Sequence, residues 1–185
     1  MVRRLVALLA LGMLLTGCAS ISPRANANLA FMGDSITAGW WLPRTNFGVP
    51  GNTTAQMLAR YPDEVLSKDY KAVILLGGTN DVRGFRTAPE ARVTTALSNI
   101  AEMAKLAEDK GLIVVLCTIP PIIGEDVDSL NAGIIALAGS KNYLLVDYFT
   151  PMVGHPEYFR DGLHPNAEGY AVMETALTRV ISISS

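Results

Sequence analysis

Two kinds of apolar pattern alternate along the chain. Leu29-Ala30-Phe31-Met32, Lys71 to Leu76, Leu112 to Ile119 and Tyr143 to Val146 are short, nearly unbroken apolar runs, the pattern of strands buried on both faces. A weaker strand is predicted at Asn46-Phe47, ahead of Gly48. Between them, apolar residues recur at helical spacing over Thr53 to about Leu66, Pro89 to Lys110, Asp128 to about Gly139 and Pro165 to about Ile183. In the second of these, Val93, Leu97, Ile100, Met103 or Ala104, and Leu106 or Ala107 form one stripe, while Glu90, Arg92, Glu102, Lys105, Glu108 and Lys110 stay outside. Pro89 and Pro165 suit a first helical turn. Short strands alternating with helices require right-handed crossovers, so the pattern predicts an α/β fold, a three-layer α/β/α sandwich around a parallel sheet. Ligands bind outside the carboxyl ends of such strands, which makes the residues just after each strand the informative ones.

Composition narrows the function classes. The 185 residues are 50% hydrophobic and 17% charged, which suits one compact domain. Fifteen basic against 17 acidic side chains leave no basic face for a nucleic-acid partner. Two cysteines and two histidines, with neither C-x-x-C nor H-E-x-x-H, imply no metal, and the absence of G-x-G-x-x-G and G-x-x-x-x-G-K-[ST] argues against dinucleotide and nucleoside triphosphate chemistry. No organic cofactor is implied.

The first residues read as an address. Arg3 and Arg4 precede an apolar run from Leu5 to Leu15, too short to span a bilayer and suited to a signal peptide. That run ends in Leu15-Thr16-Gly17-Cys18, which resembles the bacterial lipobox; the resemblance implies cleavage before Cys18 and a lipid on its thiol. The other reading is an ordinary signal peptide with Cys18 as a bystander. The expected division is residues 1–17 as lipoprotein signal peptide, 18–28 as tether and 29–185 as the folded domain. Ala19 follows the cysteine where, by resemblance to Gram-negative sorting signals, an Asp would imply inner-membrane retention, so the resemblance implies an outer-membrane lipoprotein facing the periplasm, anchored through its acyl chains.

The strand ends carry polar, glycine-flanked clusters. Gly33-Asp34-Ser35-Ile36-Thr37 follows the first strand and places a serine on a strand-to-helix turn, although Thr37 breaks the G-x-S-x-G pattern. Gly48-Val49-Pro50-Gly51-Asn52-Thr53 comes next, Gly77-Gly78-Thr79-Asn80-Asp81 ends another strand, and Asp161-Gly162-Leu163-His164-Pro165-Asn166 lies in the C-terminal part. In block order these resemble the GDSL, or SGNH, hydrolase family from about Leu29 onward. The resemblance implies a flavodoxin-like five-stranded parallel sheet and an ester hydrolase, with Ser35, Gly51, Asn80 and His164 as the residues of its name.

The chemistry accounts for those residue types. A serine hydroxyl attacks at neutral pH only if a base takes its proton, and His164 is the candidate; His155, in a turn-like segment, reads as surface packing. Asp161, three residues before His164, is placed to orient the imidazole or to brace its own turn, or both. Family resemblance supports the first role. The Ser35 and Gly51 N–H groups and the Asn80 amide would form the oxyanion hole. Asp34 and Asp81 are expected to accept backbone N–H groups, and Cys117 to be a small buried hydrophobe.

By resemblance the substrates are carboxylic esters or thioesters, including acyl, lysophospholipid, aryl and acetylated-carbohydrate compounds. Only 12 residues separate Ser35 from Gly48, leaving little for a lid, so a shallow cleft preferring short acyl chains is expected. Trp40, Trp41, Phe85, Pro121 and Met152 are candidate walls, the alternative being that they pack beneath loops; a tryptophan pair suits a sugar or aryl ring. The other reading of the whole is an envelope module that binds acyl or glycan ligands without turnover.

Overall fold

The computed structural model describes residues 28–41 and 45–183, with side chains described as far as Ile181. The leader, Cys18 and most of the tether lie outside the described residues.

Five strands form one parallel sheet: β1 (Leu29–Gly33), β2 (Asn46–Gly48), β3 (Ala72–Leu76), β4 (Ile113–Cys117) and β5 (Leu144–Val146), in the order β2-β1-β3-β4-β5. The register pairs Phe31 with Ile74 and Ile74 with Val115, so the three central strands lie level. Every residue of β1 and β3 is buried, as the unbroken apolar runs require. The helices are α1 (Ser35–Ala38), α2 (Thr54–Tyr61), α3 (Thr79–Val82), α4 (Glu90–Asp109), α5 (Asp128–Lys141) and α6 (Ala167–Ile183). Right-handed crossovers from β2 through β5 put α2, α4 and α5 on one face, where α2 packs on α4 and α4 on α5. The β1-to-β2 connection runs the other way and puts α1 on the opposite face, beside α6. This is the expected three-layer sandwich, with the order reversing between β1 and β3.

The predicted helix from Thr53 to Leu66 divides in two. Thr53 caps α2 in a reciprocal box with Gln56, and Pro62, which has no N–H to donate, forces the chain into a wider π-helical turn over Pro62–Leu66. Pro165 lies outside the last helix, where Asn166 accepts from the Glu168 and Gly169 N–H groups and is the cap. On α4 the buried stripe is Val93, Ala96, Ile100, Met103, Ala104 and Ala107, with Leu97 and Leu106 half-buried at its margin.

Two devices hold α1 in place beneath the sheet end. Asn46 donates to the carbonyls of Thr37 and Trp40 at 2.8 and 3.1 Å, and Tyr170 of α6 donates to Ile36 O at 2.8 Å. Gly33 must lack a side chain: a Cβ there would lie 2.6 Å from Leu76 O on the adjacent strand.

Candidate active site

The order reverses between β1 and β3, the place where a parallel sheet of this kind opens a crevice for a ligand. The loops after β1, β2 and β3 and the His164 loop are tied together there by the Ser35–His164, Val49 N–Gly33 O and Asn80–Asn52 O contacts. Asp34 follows β1 and caps α1, its Oδ1 accepting from Ile36 N at 2.9 Å, which puts Ser35 at the first helical position with its hydroxyl at the sheet end. Ser35 Oγ lies 3.0 Å from His164 Nε2. His164 Nδ1 lies 2.7 Å from Asp161 Oδ2, and the other Asp161 oxygen accepts the His164 and Leu163 N–H groups at 2.8 and 3.1 Å. Those bonds, the His164 backbone N–H first and the ring second, hold the Asp161 carboxyl down at about 2, so the group facing the imidazole is a carboxylate. Its loop is closed by the bond from Arg160 N to His164 O at 2.9 Å, with Gly162 at a φ of +81°.

Gly51 occupies a turn in which Asn52 N donates to Val49 O at 3.1 Å. Its φ of +80° and the preceding proline are the signature of a type II turn. Among the described residues neither the Ser35 nor the Gly51 N–H has a protein acceptor. Asn80, the second residue of α3, spends one amide hydrogen on Asn52 O at 2.9 Å, leaving the other. The crevice thus collects donors from the β1, β2 and β3 ends beside a serine–histidine–carboxylate chain. Such an arrangement can activate a hydroxyl and stabilise negative charge on a carbonyl oxygen.

Asp81 is the expected brace: it accepts Thr54 N and the Thr54 hydroxyl at 2.9 and 2.7 Å, tying the β3 loop to the start of α2. Asp34 is fully buried, and burial raises its carboxyl to about 6 against the opposing Ile36 N–H, the Thr79 hydroxyl and His164. Its Oδ2 is left without a well-formed hydrogen bond. Cys117 is buried, and burial pushes its thiol up. His155 lies at the surface, bonded to Glu157 at 2.8 Å and stacked on Tyr158.

The candidate wall residues divide. Met152 is fully buried beside Gly169 near the start of α6 and offers no surface to a ligand. Trp40 is 6% exposed among Phe31, Tyr148 and Tyr170, so the first of the tryptophan pair is mostly core. Trp41 is 93% exposed and stands at a cavity of about 360 Å³ that Arg160, Pro165 and Tyr170 also line. Phe85 is half-buried under the Arg92 guanidinium at 4.9 Å, and Pro121 is half-buried beside Ile122 and the exposed Ile123. Ile123 N donates to Gly162 O at 2.9 Å, so the loop after β4 is tied to the histidine loop.

Sequence reasoning missed Arg60 and Asn52, which join the β1 and β2 loops behind the donors. The available signal was the position of Arg60 on the flank of the buried Thr54, Met57 and Tyr61 stripe of α2, where a cation needs partners.

Comparison with known proteins agrees with this architecture. The profile of the GDSL-like Lipase/Acylhydrolase family matches residues 31–172. The chain is 29% identical over 184 residues to an arylesterase of Vibrio mimicus, a match covering 85% of this chain and 90% of that protein. Among solved structures, a GDSL-like lipase from Bacteroides thetaiotaomicron superposes with a TM-score of 0.75 at 31% identity, covering 85% of this chain and 88% of that one. Axe2, an acetylxylan esterase from Geobacillus stearothermophilus, shares the fold with a TM-score of 0.71 at 18% identity, covering 87% and 96%.

Proposed function

The chain belongs to the GDSL-like lipase/acylhydrolase family and is an ester hydrolase, and on that premise we propose that it works through a Ser35-His164-Asp161 triad with an oxyanion hole of Ser35 N–H, Gly51 N–H and the Asn80 amide. The observation that carries this reading is the 3.0 Å separation of Ser35 Oγ from His164 Nε2, continued by the 2.7 Å contact of His164 Nδ1 with Asp161.

In this mechanism Ser35 Oγ bonds to the acyl carbon as its proton passes to His164 Nε2. The carbonyl π pair moves onto oxygen, which the three donors receive. Collapse of the tetrahedral intermediate breaks the bond to the alcohol, and that alcohol leaves with the proton from Nε2. Water then attacks the acyl-serine by the same route, releasing the acid and restoring the serine. The Asp161 carboxylate keeps the imidazole oriented and offsets its positive charge during each proton transfer.

The preferred substrates in this reading are short-chain esters, since the 12 residues between Ser35 and Gly48 supply no apolar lid to grip a long chain. A second reading, hydrolysis of acetyl groups from a glycan, rests on Trp41, whose exposed indole beside the 360 Å³ cavity offers a stacking face for a sugar ring. The test is turnover of p-nitrophenyl esters of increasing acyl length and of an acetylated glycan, beside Ser35→Ala. Activity that falls with chain length and vanishes in folded Ser35→Ala is expected; turnover retained by that variant rules out the nucleophile, and preference for the glycan favours the deacetylase.

Cys18 and the apolar run before it support a lipoprotein facing the periplasm from the outer membrane. Cells fed labelled palmitate are expected to label the protein and not Cys18→Ala; equal labelling of the two discards the anchor.

A further inference from the structure

The three oxyanion-hole donors come from three different loops, and little of the usual side-chain packing holds one of them. A Cβ built on Gly51 would meet nothing within 4 Å, so its turn stands clear of neighbouring groups on that side. Something else has to fix where its N–H points.

Arg60 meets that need. It projects from α2 with a side chain only 18% exposed, and its guanidinium has three different partners. Nη2 donates to Gly33 O at 2.8 Å, two residues before Ser35. Nε donates to the side-chain oxygen of Asn52 at 2.8 Å, one residue after Gly51. Nη1 is paired with Glu64 on the following turn, which fixes the plane of the fork. The relay continues, because the main-chain oxygen of Asn52 accepts the Asn80 amide at 2.9 Å. Each of the three donor groups is thus within two residues of an atom in this network or is itself part of it. A planar, always charged fork with fixed N–H directions is the side chain suited to holding two acceptors at a set separation, which one ammonium cannot do.

We infer that Arg60 is the positioning residue of the oxyanion hole: through Gly33 O and Asn52 it sets the spacing of the Ser35, Gly51 and Asn80 donors, without itself touching substrate. The inference rests on the esterase reading given above. Donors that serve the transition state lose their value when displaced by a fraction of an ångström, while ground-state binding of the ester changes little.

The test is steady-state kinetics on p-nitrophenyl acetate for the unsubstituted enzyme, Arg60→Met, Arg60→Lys and Asn52→Ala, the arginine variants being made also in an Asn80→Ala background. Thermal unfolding of each variant is followed alongside. Arg60→Met is expected to lower kcat roughly 10- to 100-fold with KM changed less than about twofold, and Arg60→Lys to recover little of it. Asn52→Ala, which cuts one branch and leaves Arg60 on Gly33 and Glu64, should show the same kcat-only loss in smaller measure and serves if Arg60→Met does not fold. In the Asn80→Ala background the effect of Arg60→Met should shrink, since part of what Arg60 positions is already gone. Folded Arg60→Met with unchanged kcat, a loss confined to KM, or the same fold-loss with and without Asn80 overturns the inference. No turnover by the unsubstituted enzyme overturns the esterase reading along with it, so the two failures are distinguishable.

Discussion

Asp34 sits one residue before Ser35, fully buried, with one carboxylate oxygen capping α1 and the other lacking a well-formed bond. Because burial raises its carboxyl to about 6, the folded protein holds this proton more tightly than the unfolded chain does. Stability therefore falls as pH rises from about 4 to about 6, and the ionised group costs on the order of 3 kcal/mol at neutral pH. Asp34→Asn keeps the acceptor for Ile36 N and puts an uncharged amide beside the buried Thr79 hydroxyl. It is expected to stabilise the fold at pH 7 by up to about 2 kcal/mol and by much less at pH 4. Urea unfolding at the two pH values checks this, and equal effects at both would show that the carboxylate is not the strained group. Such a cost beside the proposed nucleophile is typical of residues kept for position.

Among the elements, α2 has the clearest start signal and the least obvious end. Thr53 N donates to Gln56 Oε1 at 2.9 Å, while the return bond from Gln56 N to Thr53 Oγ1 is long at 3.5 Å. Thr53→Ala should therefore cost about 0.5–1 kcal/mol, the lower part of the usual range for a cap, read as a shift of the urea midpoint. The strands of this fold were legible because β1 and β3 are buried on both faces and so are written as continuous apolar runs. The site blocks were legible because glycines and short polar residues cluster where a strand gives way to a loop. Arg60 was not, since its partners are a carbonyl and an amide from segments 27 and 8 residues away, and a sequence does not show which backbone oxygens a side chain will meet. Met152, a candidate wall because it precedes His164 by a short stretch, takes the alternative reading: it is fully buried beside Gly169.

For the whole molecule, the sheet is both the core and the template on which the crevice is assembled. Leu116 is fully buried on β4 and paired in register with Leu75 and Leu145. Leu116→Ala is expected to destabilise the protein by about 2–5 kcal/mol, seen as a lower urea midpoint with an unchanged slope; a changed slope would mean that the unfolding is not all-or-none. The pair at the heart of the site joins positions 129 residues apart, and the tyrosine that steadies α1 comes from α6, 134 residues from its acceptor. A ribosome makes the proposed nucleophile early and the proposed base late. In the proposed mechanism, a nascent or truncated chain that has Ser35 but not yet the His164 loop lacks its base, so hydrolysis waits for the last third of the chain.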